Sequence, residues 1–196
     1  MRSHRFNLID SVKNGIVDAI KDADDRSDVM VEAVSLTVAR TVQGVGGIAS
    51  SVVEVTSQVA LGTIQAVSEV GGDLGQATRG LVVGVVRGAR QTGAANLETI
   101  GRTSESVIRT TARLSGDVGA ATKGLIEGAI HGAREIGLDA ADAGAAAVAG
   151  AMKAAGQVGS AAGETVRHAL VGTIAHINVV LNEPLSSNNL PANPTL

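Results

Sequence analysis

Read every eleventh residue, the chain yields an apolar column that includes Val31, Val42, Val53, Ile64, Val86, Leu97, Ile108, Ile130, Met152 and Ile174. The adjacent column is polar or charged almost throughout, with Glu32, Glu54, Arg87, Glu98, Arg109, Asp142, Lys153 and Glu164 among its members. Eleven residues close three helical turns at about 3.67 residues per turn, near the relaxed value of 3.6, so such a repeat keeps one face aligned over any length. On that wheel the six columns holding Leu74, Ala77, Thr78, Leu81, Val82 and Val86 form one arc of about 160°. From Val29 to Asn182 the arc carries no Asp, Glu, Lys or Arg; all 23 charges of the span lie in the other five columns. The pattern predicts an all-α protein built on one very long amphipathic helix over 29–182, about 230 Å from end to end. The phase holds through fourteen repeats, which argues against a loop of arbitrary length inside the span.

The ends read differently. Residues 1–28 predict a short amphipathic helix, with Leu8, Ile9, Val12, Ile16, Ala19 and Ile20 on one face, followed by the acidic turn Asp22 to Asp28. Residues 183–196 contain all three prolines and no periodicity, so a flexible tail is expected there.

Glycine changes the picture. Of 25 glycines, 24 lie between Val29 and Asn182, and each weakens a helix by roughly 1 kcal/mol relative to alanine. Neighbouring helices or a lipid surface must offset that. The glycines recur: Asp73 to Gly93 and Asp117 to Gly137 share eleven identities in twenty-one positions at an offset of 44 residues, four elevens. Gly80, Gly84 and Gly88 return as Gly124, Gly128 and Gly132 on one flank. Gly71 with Gly75 returns as Gly159 with Gly163, with Ser115 and Gly119 between them, on the opposite flank. Small residues four apart let helix backbones approach closely, and two flanks imply two neighbours; duplication alone would also produce the recurrence. The expected assembly is a homo-oligomeric multi-helix coiled coil, layer or barrel of more than two subunits. Its apolar face comprises Val52, Val59, Val70, Leu74, Leu81, Val85, Val86, Ile108, Leu114, Val118, Leu125, Ile130 and Ile136.

Composition narrows the function. One Phe, no Trp, no Tyr and no Cys leave little to fill the core of a compact enzyme and exclude disulfides and thiol chemistry. A formal charge of -3 disfavours nucleic acid as a partner. The apolar arc is wider than a two-stranded seam requires, which points to a larger bundle or to a lipid surface. Charge-free runs reach only fourteen residues, Val55 to Ser68 and Ala169 to Asn182, too short for an ordinary spanning helix. Arg79 to Arg113 holds six Arg and two Glu, a local attraction for anionic headgroups or an ordinary solvated helix surface. His4, His131, His168 and His176 form no ligand-spaced set, so no metal is expected. The QGVGGIAS stretch around Gly44 to Gly47 lacks the GK[ST] ending of a phosphate loop, and no Ser/His/Asp arrangement suggests catalysis. No cofactor is expected.

The segments ATRGLVVGVVRGAR and ATKGLIEGAIHGAR, set in the register of 29–182, resemble the hendecad coiled coils of bacterial membrane-associated proteins. They are also similar, less closely, to the eleven-residue lipid-binding repeats of synucleins and perilipins. The chain departs from synucleins in using Arg more than Lys and in lacking their consensus and acidic tail. The first resemblance implies a long hendecad rod near a membrane; the second implies a helix lying on lipid. The expected function is thus a non-enzymatic structural protein that self-assembles through its glycine flanks and associates with membranes. The alternative is a soluble coiled-coil rod or filament subunit. Without an export signal at the start, the expected location is cytoplasmic, peripheral to or embedded in a membrane.

Overall fold

Asp73, Asn96, Asp117 and Asp139 each turn a side-chain oxygen onto the backbone N–H groups that follow. Asp73 Oδ1 accepts from Gln76 N at 2.9 Å, Asn96 Oδ1 from Thr99 N at 2.8 Å, Asp117 Oδ1 from Ala120 N at 2.9 Å and Asp139 Oδ1 from Asp142 N at 2.9 Å. These are helix N-caps, and they fall inside the span where the pattern predicts an unbroken rod. In the computed structural model, residues 2–21, 31–32, 35–37, 39–41 and 49–182 are described. Among them every regular element is helical: α1 (Arg2–Lys21), α2 (Ala49–Val70), α3 (Leu74–Gln91), α4 (Leu97–Arg113), α5 (Val118–Ile136), α6 (Ala140–Val158) and α7 (Ser160–Asn182), with further helical residues between 31 and 41. The expected acidic turn and C-terminal tail lie outside the described residues.

The all-α expectation therefore holds, but the single long helix does not. The chain folds back at Gly71, Gly93, Ser115, Gly137 and Gly159, whose φ angles of 68°, 73°, 54°, 80° and 140° are all positive. These five positions are spaced 22 residues apart, two hendecads. After the first four, the next N–H donates back to a carbonyl five residues earlier: Gly72 to Val67 at 2.9 Å, Ala94 to Ala89 at 2.8 Å, Gly116 to Thr111 at 2.9 Å and Leu138 to Ala133 at 2.9 Å. That bond is the signature of a left-handed helix stop. An N-cap two or three residues later restarts the helix. Because each helix plus turn occupies two full hendecads, the turns leave the eleven-residue phase intact, and the wheel alone does not reveal them.

The helices stack in two layers. One contains α1, α2, α4 and α6; the other contains the 31–41 segment, α3, α5 and α7. The most extensive contacts lie within a layer, α3 on α5, α4 on α6 and α1 on α2, whereas α5 packs on its sequence neighbour α6 at least as fully as on α7. Contacts within a layer keep a nearly constant sequence offset, as Gly101 meets Ala146 and Gly132 meets Val86, so helices of one layer run parallel. This is a stack of helical hairpins, an architecture in which each unit buries its face against the next. The apolar arc lies between the layers: Val59, Leu81, Val85, Ile100, Ile108 and Leu125 are fully buried. On α6 the interior is almost wholly alanine, with Ala143, Ala147, Ala151, Ala154 and Ala155 all buried. Several buried hydroxyls bond within their own helices, as when Thr103 donates to the Thr99 carbonyl at 2.7 Å and Thr122 to Val118 at 2.7 Å.

Candidate interaction site at the end of the stack

Glycine sets the spacing within each layer. Positions 62, 84, 106, 128, 150 and 172, again 22 apart, carry Gly, Gly, Ser, Gly, Gly and Gly. A Cβ added at Gly150 would overlap the Gly101 carbonyl, one at Gly128 would come within 2.6 Å of the Arg79 carbonyl oxygen, and one at Gly62 within 2.9 Å of that of Ile9. One turn before Gly128, a Cβ at Gly124 would collide with the Gly75 carbonyl and the Thr78 hydroxyl. Thr78 uses that proximity, its Oγ1 lying 3.3 Å from the Ala121 carbonyl of the neighbouring helix.

At α7 the rule lapses. Gly172 sits in the same column, yet nothing lies within 4 Å of where its Cβ would be. The sequence supplies the reason. Forty-four residues after Gly124 stands His168, whose ring does not fit where a methyl group already collides, and forty-four after Leu125 stands Ala169, which fills less of the interior. The α5–α7 pair is splayed, leaving an open cleft of about 730 Å³ lined by Lys123, Glu127, Thr165, His168, Ala169 and Thr173 together with Asp117 and backbone of small residues. Glu127 occupies the place of Val83, which is buried one repeat earlier.

The outer flank of the last hairpin is also uncovered. On α4 the residues facing α6 are Gly101, Glu105 and Arg109: Gly101 lies against the Ala146 carbonyl, Glu105 pairs with Lys153 at 3.0 Å, and Arg109 donates to Gln157 at 2.9 Å. The corresponding positions on α6 are Ala145, Ala149 and Lys153, all exposed, with Asp142 at the place of Glu98. On α7 the flank position Gly163 has nothing within 4 Å, whereas its counterparts Gly75 and Gly119 meet Ala120 and Thr165. Val171 is 69% exposed. The opposite end of the stack is different: α1 turns Val12, Ile16 and Val17 inward and leaves Asp10, Ser11, Asn14 and Asp18 exposed, the polar outer face that closes a repeat array.

Charge in the middle of the stack is already committed. Arg87 makes a two-pronged contact with Glu135, Nε to Oε2 at 2.7 Å and Nη2 to Oε1 at 2.8 Å, and its Nη1 reaches Glu32 at 3.0 Å and Ser35 at 2.8 Å. His131 lies 3.0 Å from Glu135 as well. The hydrogen bond from Arg87 holds the Glu135 carboxyl below its ordinary value, and that to Glu135 raises Arg87 further above its own. At the first hairpin, Glu69 raises the Lys13 ammonium by a 2.8 Å hydrogen bond. These are clamps between helices. Among the described residues no three His, Asp or Glu side chains gather as a metal site, and no helix is long and apolar enough to cross a membrane.

The residues singled out from sequence fall into three places. Gly80, Gly84, Gly88, Gly124, Gly128 and Gly132 are buried within helices, Gly132 against Val86. Gly75 and Gly119 lie in first turns facing the next helix of their layer, while Gly163 faces open space. Gly71, Ser115 and Gly159, expected on a packing flank, are the exposed positive-φ residues that end helices. Of the apolar face, Val59, Leu81, Val85, Val86, Ile108 and Leu125 are buried. Val70, Leu74, Val118, Ile130 and Ile136 are partly buried against the core. Leu114 is 39% exposed as the C-cap of α4, and the Val52 side chain lies outside the described residues. Sequence reasoning missed the turns, the cleft and the bare α6 flank. The signal was present in GGD, GAAN, SGD and GLD, a helix stop followed by an N-cap at 22-residue steps. No protein-family model, curated protein or solved structure matches this chain.

Proposed function

We propose that this chain is a non-enzymatic structural protein that self-associates through the uncovered small-residue flank at the C-terminal end of its helical stack. One observation carries the reading: the flank that receives a neighbour at Gly75, Gly101 and Gly119 is bare at Ala145, Ala149 and Gly163, whereas α1 at the other end exposes Asp10, Ser11, Asn14 and Asp18. Repeat arrays need a polar outer face at both ends. Sedimentation of the full chain across a wide concentration range tests it. A mass above 19.6 kDa that falls on dilution supports self-association, and a monomer at every concentration up to about 1 mM, where associations worth ~4 kcal/mol are half formed, overturns it.

A second reading keeps a role for lipid, and the spacing of the turns favours it. Since each turn falls after two whole hendecads, straightening the turns would regenerate one rod with its oily arc on a single side, the form suited to a membrane surface. Flotation with neutral and with anionic vesicles tests this reading: protein that stays at the bottom of the gradient with both overturns it.

A further inference from the structure

The exposed flank of α6 reads, in chain order, Asp142, Ala145, Ala149, Lys153. It has an acid at one end, a base at the other and methyl groups between, and is therefore complementary to itself when reversed. We infer that two copies of this chain dock α6 against α6 in antiparallel fashion about a two-fold axis, with Ala145 opposite Ala149 of the second copy and Asp142 beside Lys153 of the second copy. The inference rests on the self-association proposed above and gives it a surface, an orientation and a stoichiometry.

Three features converge on this arrangement. First, one register satisfies every pairing: the midpoint of Ala145 and Ala149 coincides, to within a residue, with the midpoint of Asp142 and Lys153, and a two-fold contact requires a single midpoint. Setting α6 on the second copy's α7 instead would pair Asp142 with Arg167 and Lys153 with Glu164, but these pairings lie about two helical turns out of register with each other. Second, the flank tolerates close approach. Its counterpart Gly101 receives the Ala146 carbonyl, and a Cβ there would stand 3.3 Å from that oxygen, so alanine at the equivalent Ala145 admits a neighbour with little adjustment. Third, head-to-tail growth is opposed by charge. The far end of the stack offers the exposed carboxylates of Asp10 and Asp18 on α1, so continuing the stack there would set Asp142 against further carboxylates. A contact made only between C-terminal ends closes at two subunits and grows no further. Lys153 remains able to serve, since its pairing with Glu105 uses one of three ammonium protons.

Sedimentation equilibrium of the full chain and of surface variants reads this out. The unmodified chain is expected at twice 19.6 kDa. Ala149→Glu sets two carboxylates at the centre of the contact and should raise the dissociation constant at least about tenfold, by desolvation and repulsion. The site is exposed, so circular dichroism should be unchanged. Asp142→Lys should weaken the dimer, and adding Lys153→Asp in the same chain should restore it, a recovery that mere damage to the fold would not produce. An oligomer indifferent to Ala149→Glu overturns the α6 contact while leaving self-association standing. A chain larger than a dimer overturns the closed two-fold arrangement, and a chain monomeric throughout overturns both this inference and the reading beneath it.

Discussion

The α3–α5 and α5–α7 pairs are the same motif at successive 44-residue steps, and they pack differently. In the first, Gly124 lets the Gly75 carbonyl rest against its Cα, Leu125 fills the space between the layers, and Arg87 spans the pair to Glu135. In the second, His168 replaces the glycine, Ala169 replaces the leucine, and no ion pair crosses between the helices among the described residues. His168 and Ala169 thus stand on α7 where α5 makes a backbone-to-backbone contact, and at that place the α5–α7 pair opens into a cleft. Helix separation in this protein is set locally, by one small residue per turn, because interiors this dense transmit a single methyl group.

The comparison breaks most sharply at the glycines. Gly124→Ala forces a methyl group into a backbone carbonyl that does not swing away as a side chain would, and should cost about 3 kcal/mol through displacement of α3. Gly172→Ala, in the splayed pair, meets nothing and should gain up to about 1 kcal/mol from helix propensity alone. Urea unfolding of the two variants beside the parent chain measures both. Equal effects would mean that the pairs do not differ in separation.

A smaller change sharpens the comparison by trying to erase it. His168→Gly with Ala169→Leu gives α7 the contact residues of α5. Burying the leucine is worth about 1.5–3 kcal/mol, and the added glycine takes back about 1 kcal/mol, so a net gain of roughly 1 kcal/mol is expected. Backbone amides of α7 near Ala169 should also exchange more slowly with solvent. Loss of stability in the double variant would show that something other than these two residues holds the cleft open.

These two positions also mark what was legible in the sequence. The hendecad wheel identified helix as the only regular element and grouped Leu81, Val85, Ile108 and Leu125, which the fold buries. It did not separate one helix from many, because a turn that preserves the 22-residue period is invisible to any test of phase. Local chemistry made the difference: Gly137 has the φ of 80° that favours glycine, and Asp139 two residues later caps the next helix. Gly71 and Gly159 belong to the same series, yet their spacing from Gly75 and Gly163 also fits a packing stripe, and periodicity gives no reason to prefer the turn. The cleft was harder to see, since it depends on where α7 departs from the repeat and the departure matters only once α5 is known to be its neighbour.

The smallest expected effect concerns charge, and it separates the pairs by pH. The Glu135 side chain is less than a third exposed, and its carboxyl is held below the ordinary 4.5 chiefly by the hydrogen bond from Arg87. A group whose folded value is depressed stabilises the native state above its unfolded value, and that contribution disappears as pH falls through the folded value. With solvent screening the clamp should be worth at most about 1 kcal/mol. Glu135→Gln should therefore lower stability by that amount at neutral pH and make progressively less difference as pH falls below the ordinary carboxylate value. Among the described residues the α5–α7 pair has no such clamp, so acid should speed exchange at the α3–α5 contact, around Val86 and Gly132, without a matching change around Thr165 and Gly172. Parallel loosening of both contacts on acidification would show that the two pairs respond to charge as one body, and that the Arg87 clamp acts on the whole stack rather than on the seam it crosses.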